Sequence, residues 1–476
     1  MRKSIFILSA TILFLSCTPE ETTEISNTRT IGLVAEKAMV VTAHPIASEV
    51  GKSVLAKGGN AVDAAVAVQF SLAVVFPFAG NIGGGGFMVY RDNMGKSTTL
   101  DFREMAPSKA HKDMYLDSDG NVIKDLSTRG HLAVGVPGSV DGMVAAHAKY
   151  GSLPWADLVQ PAIDLATIGF PVTKREADGF NRIRESLKQL NTIAPTHLFK
   201  EWVKGDTVAH LDLASTLVRI RDKGRDGFYK GETAKLLVEE MERGNGLISQ
   251  EDLDNYHSIW RTPIISKYKQ YNIITMPPPS SGGIALIQLL QSVENFDLKN
   301  LGHNSADYIH LLTEAERRVY ADRSDYLGDM DFYNVPVKQL TTLAYNIERM
   351  KSFDANKATP SDSIGSGHIL LESDQTTHFS IVDAAGNAVA ITTTLNGAFG
   401  SRVVVGKAGF LLNNEMDDFS IKPGVPNMFG LVGGEANAIA PGKRMLSSMT
   451  PTIVEKEGKL VLLSGSPGGA TIITSV

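Results

Sequence analysis

Only one cysteine, Cys17, occurs in the 476 residues, so no disulfide can close within the chain and core packing has to hold the fold. Long apolar runs are missing as well. The apolar run over 5–15 falls short of the roughly 20 residues that a membrane-spanning helix needs. No basic excess exists, since the net charge is -6, and that removes the usual ground for nucleic-acid binding. The eleven histidines include no HExxH, and a second cysteine for a metal centre is absent. His310 and Glu314 lie four apart on one helix, but a single pair of donors is too few for a metal site. Neither a metal nor a cofactor is expected. No repeat period is visible.

What remains is an ordinary globular composition, 43% hydrophobic and 21% charged, in a chain long enough for two to four domains. Its N-terminus carries an address. Arg2 and Lys3 precede the apolar run, and Phe14-Leu15-Ser16-Cys17 follows, a secretory pattern with the cysteine where a bacterial lipoprotein is cleaved and acylated. Residues 1–16 are expected to be a lipoprotein-type signal peptide and 17–30 a polar tether. The protein would then be exported, either periplasmic or held to a membrane by one lipid on Cys17. Plain export, with Cys17 lost or left as a free thiol, is the alternative.

Along the chain, 39–43 reads as a strand and 47–57 as a helix. Asn60 is placed to cap a second helix over 61–75, so rich in Ala and Val that it must be buried on most sides. Four glycines, Gly83 to Gly86, invite a phosphate-loop reading, but the spacings of GxGxxG and GxxxxGK[ST] are not met there. They read instead as a tight strand entry. Arg103, in Asp101-Phe102-Arg103-Glu104, would by itself more often be a surface or ion-paired residue than a functional one. Residues 135–253 read as helical scaffold. Strands are expected over 264–268 and 271–276, then helices over 284–293 and 305–326. The charges of the last helix (among them Glu314, Arg318, Asp322 and Arg323) read as a solvated, ion-paired face.

The chain is organised around 374–420. Thr376-Thr377-His378-Phe379-Ser380 and 388–394 alternate on either side of Asp383-Ala384-Ala385-Gly386-Asn387, the pattern of a β-hairpin. A loop-like segment, 354–366, precedes it. A threonine at a strand start is an odd place for chemistry unless the chain is cut before it. Cutting between Gln375 and Thr376 would give one residue both a hydroxyl nucleophile and an α-amino base of pKa near ~8. His378 shares the face of Thr376 on such a strand, yet a satisfied core histidine is the commoner outcome.

Those motifs, with Thr394-Leu395-Asn396 and Asn413-Asn414-Glu415-Met416-Asp417-Asp418-Phe419, resemble the γ-glutamyltranspeptidase (glutathione hydrolase) family of N-terminal-nucleophile hydrolases. The resemblance spans nearly all the chain after about residue 30. It implies an α/β (α+β) fold, a four-layer αββα sandwich, with 31–375 as large subunit and 376–476 as small subunit. It implies autocleavage at Gln375–Thr376 and Thr376 as nucleophile, with Thr394 orienting it. Arg103, Ser447 and Ser448 would hold a donor's α-carboxylate; Glu415, Asp418 and Asn396 its ammonium. Gly468 and Gly469 would stabilise the oxyanion. The implied partners are glutathione and related γ-glutamyl donors, with amino-acid or peptide amines as acceptors. Read alone, each motif has a plainer meaning: a strand edge for Ser447-Ser448, a turn for Gly468-Gly469, a cap for Asp417-Asp418.

Residues 422–434 resemble the lid loop of some members, with Phe429 where a tyrosine is common. The chain stops at Val476, inside an apparent strand over 471–476, where the family's small chain continues, so a fragment is expected. Two rivals stand beside this reading. One is an acylase of the same fold acting on glutaryl β-lactam side chains; the other is an uncleaved, exported binding lipoprotein. The masses and first residues of the purified polypeptides separate them. A short chain beginning at Thr376, and a long chain carrying a lipid mass on Cys17, are the expected result; a single intact chain favours the binding lipoprotein.

Overall fold

Alternation of apolar and polar side chains yields ten strands in two main sheets, and both are antiparallel throughout. In chain order the strands are β1 (Met39–Val41), β2 (Gly85–Arg91), β3 (Ser97–Phe102), β4 (Ile259–Arg261), β5 (Ile264–Tyr268), β6 (Tyr271–Thr275), β7 (Thr376–Val382), β8 (Ala388–Thr394), β9 (Thr452–Lys456) and β10 (Lys459–Ser464). The first sheet has the order β1-β7-β8-β2-β3-β4 and the second β10-β9-β6-β5. The computed structural model describes residues 32–193, 200–364 and 376–476. Residues 37–476 make up one unit by their contacts, separate from residues 1–36. Cys17, the signal and tether segments, Gln375 and the end of the 354–366 loop lie outside the described residues.

The sheets meet face to face through Val89 of β2, Ala388 and Ala390 of β8, Ile274 of β6 and Ile453 of β9. Helices cover both outer faces. The Ala61–Val75 helix is buried along its whole length, as its composition demands, and packs on the first sheet. Asn60 caps it in a capping box with Asp63, whose carboxylate also accepts from Ser152 N at 2.9 Å and so ties down the loop at 151–154. The helix Gly282–Ser292 covers the second sheet, with Ala306–Tyr326 packed behind it through Ala285, Val319 and Tyr320. Helix, sheet, sheet, helix: the four expected layers are present.

Two expectations fail. The charges of Ala306–Tyr326 are not a solvated face: Glu314, Arg318, Asp322 and Arg323 are all buried. Glu314 takes Arg318 Nη1 at 2.8 Å, and Asp322 accepts from Gln288 at 2.8 Å. These charges sit among Leu311, Ala315 and Val319, and sealing by later segments turns a solvent-like pattern into a core network. Nor are residues 471–476 a strand. Gly469–Thr471 is a 3₁₀ turn and Ile472–Ser475 a short helix. Their β-branched side chains suit a strand, but Ile472 gains burial against Phe87, Met276 and Met449, and Ile473 against Ala285, Val319 and Tyr320.

The expected hairpin forms, with Thr376 opposite Thr394 and Val382 opposite Ala388. His378 is hydrogen-bonded at both ring nitrogens, as a satisfied histidine would be, and it is half-buried on its strand. Its Nδ1 lies 2.9 Å from Thr392 Oγ1 and its Nε2 2.9 Å from Ser380 Oγ, and burial pushes the ring down to about 3. A group depressed in this way supports the fold above its unfolded value, near 6.5, and withdraws that support as pH falls toward 3. The melting temperature is therefore expected to fall between pH 6.5 and 4.5, and less steeply in His378→Gln, which cannot take up the proton. Parallel slopes in differential scanning fluorimetry would contradict this.

Candidate active site

The hairpin's open end is held where backbone can approach backbone. Thr394 pairs with Thr376 on one side and with Gly85 on the other. A Cβ on Gly84 would come 2.1 Å from Thr394 O, and one on Gly86 2.4 Å from Thr392 O. Side chains there would push the strands apart, so the glycine run is the tight strand entry that its sequence suggests. Thr394 Oγ1 accepts from Asn396 N at 2.8 Å, and Asn396 holds the left-handed conformation, φ +70°, at the turn out of β8. Thr376 and Thr394 thus face each other at one sheet end.

Thr376, Thr394 and Asn396 line a small cavity with Arg103, Asp418, Ser447, Ser448 and Gly469. Residues far apart in the chain meet here, and Glu415 lies buried just behind, against Arg103. Gly468 stands beside Gly469, with φ of +138° and +52° in the turn that leads past the cavity. The free volume is about 20 Å³, room for one water.

Charge pairing departs from the arrangement expected. The family motifs imply two separate clamps, cationic at Arg103 and anionic at Glu415 and Asp418. The structure joins them: Arg103 Nη1 lies 2.6 Å from Glu415 Oε2, and Nη2 donates to Asp418 Oδ2 at 2.5 Å. Most buried guanidiniums are paired, and these are the carboxylates within reach of Arg103. Glu104, 3.6 Å from Nη1, makes a third. Burial alone would lower the Arg103 pKa; the charges of Glu415, Asp418 and Glu104 hold it above its ordinary value. Burial also raises all three carboxyls, against the pull of Arg103, with Glu104 pushed up to about 8. Burial thus outweighs the pull of the guanidinium in contact, and the cluster holds its protons more tightly than free carboxyls do.

The serine pair is built from the other side. Ser447 N donates to Pro279 O at 2.9 Å, and Ser281 N to Ser447 O at 2.7 Å, fastening the pair to the turn that precedes Gly282–Ser292. Ser447 Oγ accepts from Met449 N at 3.1 Å.

The loop at 422–434 lies over the cavity. Phe429 lines it, only 3% exposed, against Gly469: a Cβ there would sit 2.8 Å from the ring. Asp417, pushed up to about 6 by burial, accepts from Met428 N at 2.8 Å, and Asn427 Nδ2 donates to Asp418 Oδ1 at 3.2 Å. Neighbouring aspartates thus divide the work, Asp417 holding the loop and Asp418 facing Arg103. Neither serves as a helix cap.

Three buried residues next to the site escape a reading of the sequence: Glu104, Tyr320 and Arg323. Tyr320 OH donates to Ala470 O at 2.5 Å; Arg323 Nε donates to Ser281 Oγ at 3.0 Å and its Nη2 to Ser448 Oγ at 3.3 Å. The available signal is the apolar stripe of Leu311, Ala315 and Val319, which puts the neighbouring charges on a packed face.

Comparison with known proteins agrees with this geometry. The family model described as Gamma-glutamyltranspeptidase matches residues 47–476. The chain is similar to the glutathione hydrolase proenzyme of Escherichia coli (strain K12), 50% identical over 446 residues, covering 93% of this chain and 77% of that one. A second such proenzyme, from Pseudomonas aeruginosa, is 52% identical over 435 residues, covering 90% and 76%. The crystal structure of Helicobacter pylori gamma-glutamyltranspeptidase superposes with a TM-score of 0.68 at 44% identity, covering 71% of this chain and 98% of that one. Because the family model spans most of the chain and these relatives are about half identical to it, the chain belongs to the gamma-glutamyltranspeptidase family.

Proposed function

We propose that this protein is an exported, self-cleaving γ-glutamyl hydrolase and transferase that acts on glutathione and related γ-glutamyl amides. One observation carries the reading: Thr376, the first residue of β7, opens onto the same cavity as Arg103 and Asp418. Scission of the Gln375–Thr376 bond would free the α-amine beside the Thr376 hydroxyl. That amine takes the hydroxyl proton as Oγ attacks the γ-carbonyl of the donor, and the amide nitrogen leaves with a proton as the free amine. The γ-glutamyl ester on Thr376 is then opened by water, giving glutamate, or by an acceptor amine, giving a new γ-glutamyl amide.

The charged cluster suits a donor that brings one carboxylate and one ammonium on the same carbon. Its carboxylate pairs with Arg103 and the hydroxyls of Ser447 and Ser448. Its ammonium replaces Arg103 as partner of Glu415 and Asp418, with Asn396 beside them. Each internal ion pair is exchanged for an intermolecular one, so no charge is left buried alone. Backbone amides at Gly468 and Gly469 would take the negative oxygen of the tetrahedral intermediate. Thr394, directly across the ladder from Thr376, would orient its side chain. Lipid on Cys17 would hold the enzyme at a membrane surface.

Thr376→Ala is expected to remain one chain and to lose at least ~10³-fold in turnover of a γ-glutamyl anilide, read by gel and by anilide release. A glutaryl anilide, which lacks the ammonium, should be a far poorer substrate for the wild type; equal turnover of the two would favour the acylase reading. Phe429 covers the cavity without a hydroxyl to latch it. Phe429→Tyr is expected to lower the donor KM and the fraction of acyl group lost to water, and unchanged values would show that the loop does not gate the site.

A further inference from the structure

One helix of the large half reaches three separate pieces of the site. Along Ala306–Tyr326, Tyr320 OH donates to Ala470 O at 2.5 Å, next to the glycine turn. Ser324 Oγ donates to Val432 O at 2.9 Å, in the loop over the cavity. Between them, Arg323 reaches both Ser281 and Ser448.

Arg323 is the unusual member. It is 4% exposed and, among the described residues, makes no ion pair. Burial lowers its pKa, with Tyr320 and Asp418 pulling the other way, yet a guanidinium keeps its charge in any protein setting. Most buried charges have a counter-ion, and the other buried arginines beside the site do: Arg103 has Glu415 and Asp418, and Arg444 has Asp101 within 3.5 Å. Arg323 instead spends its fork on two hydroxyls. Ser281 Oγ already donates to Ser447 O at 2.7 Å, so toward Arg323 it only accepts. Ser448 Oγ likewise accepts from Arg323, which frees its own hydrogen for a different acceptor. A hydroxyl that receives a bond from a cation is the stronger donor for it. Ser448 lines the cavity, so that hydrogen has an anion site to serve.

We propose that Arg323 is a positioning residue for the donor's α-carboxylate. It aligns and polarises the Ser448 hydroxyl and lends an unneutralised positive charge behind it, while Arg103 supplies the direct ion pair. The assignment rests on the γ-glutamyl reading above and deepens it: the carboxylate end of the pocket carries two guanidiniums, one in contact and one acting through a serine.

The test is a double-mutant cycle on donor KM. Arg323→Met is expected to raise the KM of a γ-glutamyl anilide about 10-fold or more while kcat stays within about 3-fold, and Arg323→Lys to recover part of the loss. In a Ser448→Ala background the same Arg323→Met change should add less than about 2-fold, because the hydroxyl it acts through is gone. An arginine that merely braces the fold would move kcat with KM and give equal factors in both backgrounds, and either result overturns the proposal. Should the methionine variant fail to fold, Arg323→Lys with and without Ser448→Ala carries the same cycle. A wild type that does not turn over the donor overturns the γ-glutamyl reading itself. An active wild type with KM unmoved in the Arg323 variants overturns this assignment alone.

Discussion

A guanidinium buried among three carboxylates is the constraint on which the site depends. Burying the Arg103 charge is costly without partners, and the charges of Glu415 and Asp418 are in turn supported by it. The cluster's elements come from opposite ends of the chain: Arg103 and Glu104 follow β3, and Glu415 and Asp418 form a 3₁₀ turn beyond β8. Ion pairing therefore fastens the two halves together at the point where chemistry is expected. A zwitterionic donor would add one charge of each sign and exchange partners with this set. The desolvation of the cluster is already met in the fold, so recognition of such a donor would add mainly the donor's own desolvation.

Position comes from backbone contact more than from side chains. β7, β8 and β2 pair in register, and the glycines at the start of β2 let the strands close up at the end where Thr376 and Thr394 sit. Above them, the loop at 422–434 is held by Asp417 and by Ser324, and the serine pair by Ser281 and Pro279. The segments rich in glycine and proline are thus tied at several points to rigid elements, as precise placement of reacting groups requires.

Much of this is legible in the amino-acid sequence, for identifiable reasons. The hairpin at 376–394 shows because period-two alternation and a Gly/Asn break are local signals, and Ala61–Val75 because Asn60 marks its start and its Ala/Val-rich run continues from there. Arg103, Ser447 and Gly469 show only through family motifs, since an arginine, a serine pair and two glycines each have a plainer use. The rest is hidden by packing. Ile472 and Ile473 look like strand residues until Phe87 and Val319 are placed beside them. Glu314, Arg318 and Asp322 look solvated until the Leu343–Met350 helix lies over them, with Arg318 Nε donating to Arg349 O at 2.8 Å and Asp322 3.0 Å from Arg349 Nη2. Partners distant in sequence decide such burial, and no window along the chain contains them.

The distribution of protons in the cluster also depends on where each cation stands. Glu104 and Glu415 are fully enclosed, and burial raises both despite Arg103. Asp418 differs in having a second cation near it. Arg323 as well as Arg103 favours its ionised form, opposing the effect of burial. Arg323 thus opposes burial at Asp418, which is the one of the three carboxyls that lines the cavity. Negative charge on Asp418 would face the cavity, where a donor's ammonium would meet it. An unpaired arginine on a distant helix thus bears on both ends of the pocket: it sets the direction of a serine hydrogen at one and helps fix the charge of an aspartate at the other.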